Sequence, residues 1–253
     1  MRIDLYLVLY KNFESRNKAV QAIKAHSIKI NGKICDKPST DVDENSNVEI
    51  IFDALKYVSR GGYKLEGALE KFNISFNDKI ILDIGSSTGG FTDCALQNGA
   101  KDVYAVDVGC DQMHPSLRQD PRVHLFENTN ILDFNTDILF DYLVMDVSFV
   151  SVEHIIPGII KFLNDNNSLI CLIKPQFEAG KMIGKGVIKD KSLHLKILNK
   201  VSDYLENMGL FINKLAPSPI KGGSGNIEFI SVISKRKTIK LDYRKIVLEA
   251  HRG

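Results

Sequence analysis

Lys174 closes an otherwise apolar run, Ser168 to Ile173, and Pro175 follows it at once. An ammonium is almost never buried without a partner, because removing it from water costs far more than its alkyl stem gains. Either Lys174 escapes to solvent or something at that point needs its charge. Asp146 follows a second apolar run, Leu143 to Met145, while Glu228 precedes "FISVI" and Lys64 lies in "SRGGYKLEGAL". Taken singly, each of the four is most simply a surface ion pair; all four directed into one crevice would be a reacting centre. A ligand-binding pattern accompanies them. "DIGSSTGGF", Asp83 to Phe91, sets Gly85, Gly89 and Gly90 in a glycine loop with Ser87 in the middle, and Asp107 ends the next apolar run about 20 residues on. A carboxylate there accepts both hydroxyls of an adenosine ribose, although a solvated strand-end acid is the plain alternative. The dinucleotide motif needs glycine where Ser87 stands. That difference turns the reading from a nicotinamide cofactor to S-adenosylmethionine, which has no pyrophosphate to cradle and needs room for its methionine tail beside the glycines.

The elements that would hold these residues alternate. "KIILDIG", "VYAVDVG", "VHLFE", "DYLVMDVS" and "SLICLIK" are strand-like, and "GGFTDCALQNG" is the helix after the glycine loop. Strands alternating with helices imply a parallel sheet covered on both faces, whose ligands bind beyond the carboxyl ends of the strands. Lys174 and Asp146 stand at two such ends. Glu228 joins them if the last strand, in "GGSGNIEFISVI", runs antiparallel to the others, and Lys64 precedes the sheet on a helix that could cross the mouth. The expected fold class is α/β: a Rossmann-like, mostly parallel sheet preceded by a small α+β domain. Candidate cofactor contacts in the loop are Asp83, Gly85, Ser86, Thr88, Gly89, Gly90 and Phe91. Beyond it come Asp107, Asp146 and Asn130, whose amide could bond an adenine edge or serve only a turn. For Phe91, packing beneath the helix is the alternative to cofactor contact.

Charge divides the chain more informatively than its net +2. Residues 1–37 carry eight Lys/Arg against three Asp/Glu, residues 38–55 carry five acids and no base, and residues 235–253 carry seven bases against two acids. Such blocks are usually solvated faces, but two basic ones flanking a core raise nucleic-acid binding. In the first block Ser15 can cap a helix with Ala19 and Ile23 on its apolar side and Arg16, Lys18 and Lys24 outward. "IKINGKI" then alternates as a strand and breaks at Asn31-Gly32, a hairpin signal flanked by Lys29 and Lys33. Four cysteines without CxxC or histidine spacing suggest neither a disulfide framework nor a metal site. No run reaches the roughly 18 apolar residues of a membrane span, so a cytoplasmic protein is expected.

The front string resembles the RNA-binding module first known from ribosomal protein S-four, matching at Arg2, Asp4, Ser15, Arg16, Ala19, Asn31, Gly32 and Lys33 over about residues 1–52; His26 stands near where that pattern has glycine. With "DIGSSTGGF", "KPQFEAG", "GNIEF" and the order Lys64, Asp146, Lys174, Glu228, essentially the whole chain resembles the TlyA, or hemolysin A, family of rRNA 2′-O-methyltransferases, whose catalytic domain is similar to the FtsJ group. The resemblance implies a class I (Rossmann-like) methyltransferase with a mostly parallel seven-stranded sheet and a Lys-Asp-Lys-Glu tetrad, transferring methyl from S-adenosylmethionine to a cytidine ribose in rRNA. It implies domains over 1–55 and 63–253 joined by a linker over 56–62, RNA contacts from Arg2, Arg16, Lys18, Lys24, Lys29 and Lys33, and rRNA or a ribosomal subunit as partner, with a monomer expected. "HPSLRQDPRV" departs from the family's aromatic and basic run. The start at "MRIDLYL" looks like the shorter branch, associated with the large subunit only. By analogy Lys174 takes or guides the hydroxyl proton while Asp146 and Glu228 orient it. Two carboxylates favour its ammonium form, however, which suits stabilising an alkoxide better than abstracting a proton. The competing classes are a nicotinamide oxidoreductase, disfavoured by Ser87; an RNA-binding or assembly protein with an idle methyltransferase shell; and a membrane-lysing protein acting through the amphipathic tail "KTIKLDYRKIVLEAHR".

Overall fold

Asn31 and Gly32 both take left-handed backbone, φ 51° and 76°, as a two-residue turn between right-twisted strands requires. They join β1 (Ile28–Ile30) to β2 (Lys33–Ile34) with Ile30 opposite Lys33. The computed structural model describes residues 1–11, 13, 16–24, 27–50, 56–180, 186–238 and 241–252; of residues 17, 18, 21 and 24 it describes the backbone alone. Ser15 and His26 lie outside the described residues. The chain divides into two units, Met1–Arg60 and Gly61–Gly253. In the first, helices α1 (Ile3–Tyr10) and α2 (Arg16–Lys24) pack with the sheet β2-β1-β3, where β3 is Val48–Ile50. Ile3, Leu7, Ala19, Ile23, Ile28 and Val48 form its core. Helix α1 has no counterpart among the elements expected from sequence. Its apolar residues occur all round the axis, so no amphipathic period marks it.

The second unit begins with α3 (Gly61–Phe72) and continues β4 (Ile80–Ile84), α4 (Gly90–Gln97), β5 (Asp102–Val106), α5 (Pro115–Arg118), β6 (Val123–Phe126), β7 (Tyr142–Met145) and α6 (Val152–Ile159), which runs into a 3₁₀ turn. Then come β8 (Ser168–Ile173), α7 (Pro175–Glu178), α8 (Lys191–Asn207), β9 (Phe211–Pro217), β10 (Phe229–Ser234) and α9 (Tyr243–Ala250). The strands form one seven-stranded sheet, β6-β5-β4-β7-β8-β10-β9. β10 is antiparallel to both its neighbours, and the β6-β5-β4-β7-β8 ladder is parallel throughout. Strands of the parallel ladder are apolar on both faces because helices cover both sides; β8 is buried at five of its six positions. Strand β9 was not among the runs expected: Lys214 and its two-sided burial obscure its alternation.

Two local expectations change. "QFEAGK" was expected to leave the sheet as a loop, but Pro175–Glu178 form one helical turn; proline at the first helical position has φ already set and no N–H to lose. The tail expected as a possible membrane helix instead docks as α9 against α8 and β9, burying Val247 and Ala250. β10 also runs away from the carboxyl edge, so Arg236 and Lys237 emerge at the opposite edge, paired with Asp165 and Glu206. Cys110 is exposed and the other three cysteines are buried.

Candidate active site

The carboxyl edge of the sheet gathers the four charged residues. Asp146 is the first residue after β7 and Lys174 the first after β8. Phe229 of β10 pairs with Ile173, which brings Glu228 beside Lys174's position. Helix α3 reaches across with Lys64. Their side chains are 10 % (Lys64), 19 % (Asp146), 7 % (Lys174) and 3 % (Glu228) exposed, so each charge needs a partner. The Lys174 ammonium meets Asp146 Oδ1 at 2.5 Å, an ion pair without hydrogen-bond alignment. It donates to Ser148 Oγ at 2.9 Å. Lys64 Nζ donates to Glu228 Oε2 at 2.6 Å and lies 3.8 Å from Asp146 Oδ2. Gln176 Nε2 donates to the other Glu228 oxygen at 2.8 Å.

The result is a chain of alternating charge, Lys174, Asp146, Lys64, Glu228, closed by an amide. One expectation is corrected: among the described residues Glu228 makes no ion pair with Lys174. Lys64 and Gln176 occupy both of its oxygens, so Ser148 rather than Glu228 is the second partner of Lys174. Two positive and two negative groups balance, and every charge has a neighbour of opposite sign. Such a lysine is held by its partners in one direction, ready to meet an oxygen that gains negative charge.

A second cluster lies at the β4 and β5 ends, next to the point where strand order reverses. Asp107 accepts the Ser87 N–H through Oδ2 at 2.8 Å and the Gly109 N–H through Oδ1 at 2.7 Å. The Ser87 bond ties the glycine loop to the end of β5, the Gly109 bond holds the turn just past that strand, and a carboxylate so held keeps lone pairs for further donors. Gly89 has φ 91°, and a Cβ there would stand 2.3 Å from Leu117 and 2.5 Å from Met113, so only glycine lets the segment after β5 close on the loop. That segment also bonds it directly, His114 N–H to Thr88 O at 3.2 Å.

Asp83, next to the carboxyl end of β4, is 1 % exposed. Its Oδ2 accepts the Thr92 hydroxyl at 2.6 Å while Oδ1 is buried without a partner. Burial, reinforced by the Asp146 charge and opposed by the Thr92 bond, pushes its carboxyl up to about 7. The Ser86 hydroxyl is likewise buried and unpartnered, whereas Val108, just past Asp107, is 71 % exposed. Unsatisfied polar atoms at one end and a bare apolar side chain at the other fit a ligand with a charged amino-acid part and a flat base, as S-adenosylmethionine has.

Not every expected contact stands in the crevice. Phe91 is buried in the core, the packing alternative, and Gly85 and Gly90 are backbone positions flanking the loop. Asn130 is exposed; its Oδ1 accepts the Leu132 N–H at 3.0 Å, while Thr129 before it donates its backbone N–H to Asp107 O at 2.9 Å and keeps the segment beside the end of β5. In the front unit Arg2 and Arg16 both grip Asp4: Arg2 donates at 3.1 and 2.9 Å and Arg16 at 2.9 Å. Asp4 is 1 % exposed; burial raises its carboxyl pKa, but the two guanidinium groups outweigh burial and hold it below the usual range. Both arginines therefore have a folding task, with their outer faces still in solvent. Lys33 is exposed and Lys29 half-buried beside the hairpin turn; Lys18 and Lys24 lie on α2 with side chains outside the description.

Sequence reasoning missed Ser148, Gln176 and Phe149. Gln176 was visible as a polar residue two places after Lys174 in the same string. Phe149 carries the clearer signal: a bulky aromatic between two serines just past the Asp146 strand end. It is 91 % exposed with φ 66°, a conformation costing a non-glycine residue about 1–2 kcal/mol, and its ring lies 5.2 Å from that of Phe177. The Lys174 ammonium is 5.8 Å from the Phe177 ring.

The chain as a whole is similar to known proteins. Residues 57–235 match the FtsJ-like methyltransferase family and residues 1–48 the S4 domain. The 23S rRNA (cytidine-2′-O)-methyltransferase TlyA of Campylobacter jejuni is 37% identical over 253 aligned positions, covering 90% of this chain and 97% of that protein. The 16S/23S rRNA (cytidine-2′-O)-methyltransferase TlyA of Mycobacterium tuberculosis is 36% identical over 234, covering 90% and 87%. A solved structure of a hemolysin-type protein from Streptococcus thermophilus superposes with TM-score 0.78 at 41% identity, over 100% of this chain and 96% of that one.

Proposed function

The chain belongs to the FtsJ-like methyltransferase family, and from that premise we propose that it methylates the 2′-hydroxyl of a cytidine ribose in large-subunit rRNA, with S-adenosylmethionine as donor. The observation that carries this reading is the paired tetrad at the carboxyl edge, beside a crevice whose unsatisfied groups suit that cofactor. Both relatives named above have 23S rRNA in their names, which supports the large subunit.

Bound in the crevice, S-adenosylmethionine supplies an electrophilic methyl group on a sulfonium. The protein's own task is to hold the ribose oxygen in line with that methyl, about 3–3.5 Å away, since positioning supplies much of the rate. Lys174, fixed by Asp146 and Ser148, meets the hydroxyl as its oxygen gains charge. Lys64 and Glu228 hold Asp146's second oxygen and the mouth of the site, and Gln176 holds Glu228. Asp107 receives the cofactor's ribose hydroxyls, and Asp83 and Ser86 face its amino-acid part. Thr88, Gly85, Gly89 and Gly90 shape the loop through their backbone, with Phe91 supporting it from below. Phe149 offers its bare ring to a base turned out of its stack. We take residues 1–55 as the RNA-binding domain, 56–62 as the link and 63–253 as the catalytic domain. Phosphate contacts come from Lys29 and Lys33, from Lys18 and Lys24 on α2, and from the outer faces of Arg2 and Arg16. Among the described residues no helix is long and apolar enough to cross a membrane, and action on rRNA places the protein in the cytoplasm, as a monomer.

The deciding experiment incubates the protein with methyl-labelled S-adenosylmethionine and each purified ribosomal subunit, then maps the label. One 2′-O-methylcytidine in 23S rRNA is expected. Label on a base, on 16S rRNA alone, or on neither RNA overturns the reading.

A further inference from the structure

Among the described residues neither Asp83 nor Asp107 makes an ion pair at the crevice, but Asp107 accepts two backbone N–H groups whereas Asp83 Oδ1 has no donor. The described residues within reach are acids or neutral: Thr92 from α4 on its Oδ2, Asp107 beyond β5 and Asp146 beyond β7, the last two both unfavourable to its charge. Lys64 and Lys174 face the same crevice but are committed to Asp146 and Glu228. No ion pair to Asp83 forms among the described residues, and Oδ1 is sealed from solvent without a donor. An ionised carboxylate cannot be kept there at reasonable cost: burial and two neighbouring negative charges favour the neutral acid, and the hydrogen bonds from Thr92 oppose them only in part.

We propose that Asp83 is carried as a protonated acid in the free protein and gives up its proton when the cofactor's ammonium enters the crevice, so that cofactor capture is coupled to proton release. The step is balanced. The O–H bond of the Asp83 carboxyl breaks, the proton passes to the buffer, and the carboxylate that remains pairs with the incoming ammonium through the oxygen now without a partner. No electron moves and no other reactant is needed. This inference rests on the proposed cofactor, and it goes beyond it: a crevice that met its ligand with a ready-made carboxylate would release nothing.

The test is calorimetric. Binding of S-adenosylmethionine and of S-adenosylhomocysteine is measured at pH 6 and pH 7 in buffers of different ionisation enthalpy, with 5′-methylthioadenosine, which lacks the amino-acid part, as the third ligand. With the carboxyl titrating near 7, release of about half a proton is expected at pH 7 and nearly one at pH 6, and affinity about fivefold weaker at pH 6 than at pH 7. The α-amino group stays charged in that window. Methylthioadenosine should bind with no release and no pH slope. Asp83→Asn should abolish the release and flatten the pH dependence for all three ligands. Thr92→Val, which removes the side-chain bond favouring the ionised form, should instead bring release at pH 7 closer to one proton. Release equal for all three ligands, or unchanged in Asp83→Asn, overturns the coupling. Tight binding of S-adenosylmethionine with no release overturns the coupling and leaves the methyltransferase reading intact. Failure of both S-adenosylmethionine and S-adenosylhomocysteine to bind the wild-type protein overturns that reading, and this inference with it.

Discussion

Replacing Lys64 by methionine keeps the unbranched stem of the side chain, one atom shorter, and removes the charge that holds Glu228. The lysine donates to Glu228 Oε2 at 2.6 Å with side chains 10 % and 3 % exposed, so water cannot take over. Breaking a buried pair from one side costs about 3–5 kcal/mol, because the other charge is left behind. Gln176 still donates to Oε1 at 2.8 Å, which puts the expected loss at the lower limit, about 3 kcal/mol. For a unit of this size about 1 kcal/mol moves the midpoint by 2–4 °C, so Lys64→Met should melt roughly 6–12 °C below wild type. Glu228→Gln alone strands Lys64, though less severely, since Asp146 lies 3.8 Å from it. Joined in one protein, the two substitutions remove both charges, and most of the stability should return. A double-mutant cycle by thermal and urea unfolding would read a coupling of about 2 kcal/mol. Methyl transfer should not return with it, because the rescued protein lacks the ammonium beside Asp146 Oδ2 and the carboxylate that holds it. Coupling under about 0.5 kcal/mol would mean that the pair is screened by solvent and the buried tetrad is misread. Full turnover in the stable double variant would mean that Lys64 and Glu228 only support the fold.

The other expectations concern single sites. Lys174→Ala should abolish transfer to rRNA while cofactor affinity, by equilibrium dialysis, stays within a few-fold; lost cofactor binding would make the lysine structural. Phe149→Gly relieves the left-handed backbone and should not lower the melting temperature, yet it should weaken rRNA binding at least fivefold, one stacked base contributing about 1–3 kcal/mol; undiminished RNA affinity would leave the exposed ring without a role. Asp83 carries a proton in the folded state up to about pH 7, whereas an unfolded aspartate loses it near 3.9. Stability from this group is therefore full below about pH 4 and lost as pH rises to 7, so free Asp83→Asn should melt above wild type at pH 8 and level with it at pH 4. An Asn variant melting lower at pH 8 would contradict that sign. Reversing Lys29 and Lys33 to glutamate should reduce RNA affinity and flatten its salt dependence by about two ions, leaving cofactor binding alone; equal affinity would move the RNA surface elsewhere.

The strand ends were legible because a charged residue directly after an apolar run is itself unusual: Asp146 and Lys174 needed only the alternation of elements to be placed on one edge. Glu228 required one further assumption, an antiparallel last strand, and the pairing of Phe229 with Ile173 is that arrangement. Partner choice was not legible. Lys64 comes from a helix whose distance from the edge no spacing reveals, and it takes the carboxylate that sequence had offered to Lys174. The same limit applies to Arg2 and Arg16, read as surface charge because a sequence counts charges without showing which ones meet Asp4. Asn31-Gly32 was readable for the opposite reason, since its whole meaning is local backbone geometry. Phe149 escaped notice because exposure of an aromatic residue depends on what the rest of the chain leaves uncovered.

The last strand of the sheet lies between β8 and β9 rather than at its edge, and this has a consequence for the protein's own synthesis. Lys64 and its carboxylate partner are separated by 164 residues, which at about 5–20 residues per second is roughly 8–33 s of translation. Throughout that interval the nascent chain has its glycine loop, Asp107, Asp146 and finally Lys174, but no Glu228. β8 meanwhile presents an open apolar edge of the kind that pairs with other chains. A ribosome that stalls before the final strand leaves an inactive, adhesive fragment, and one that finishes inserts β10, covers that edge and completes the tetrad in a single event.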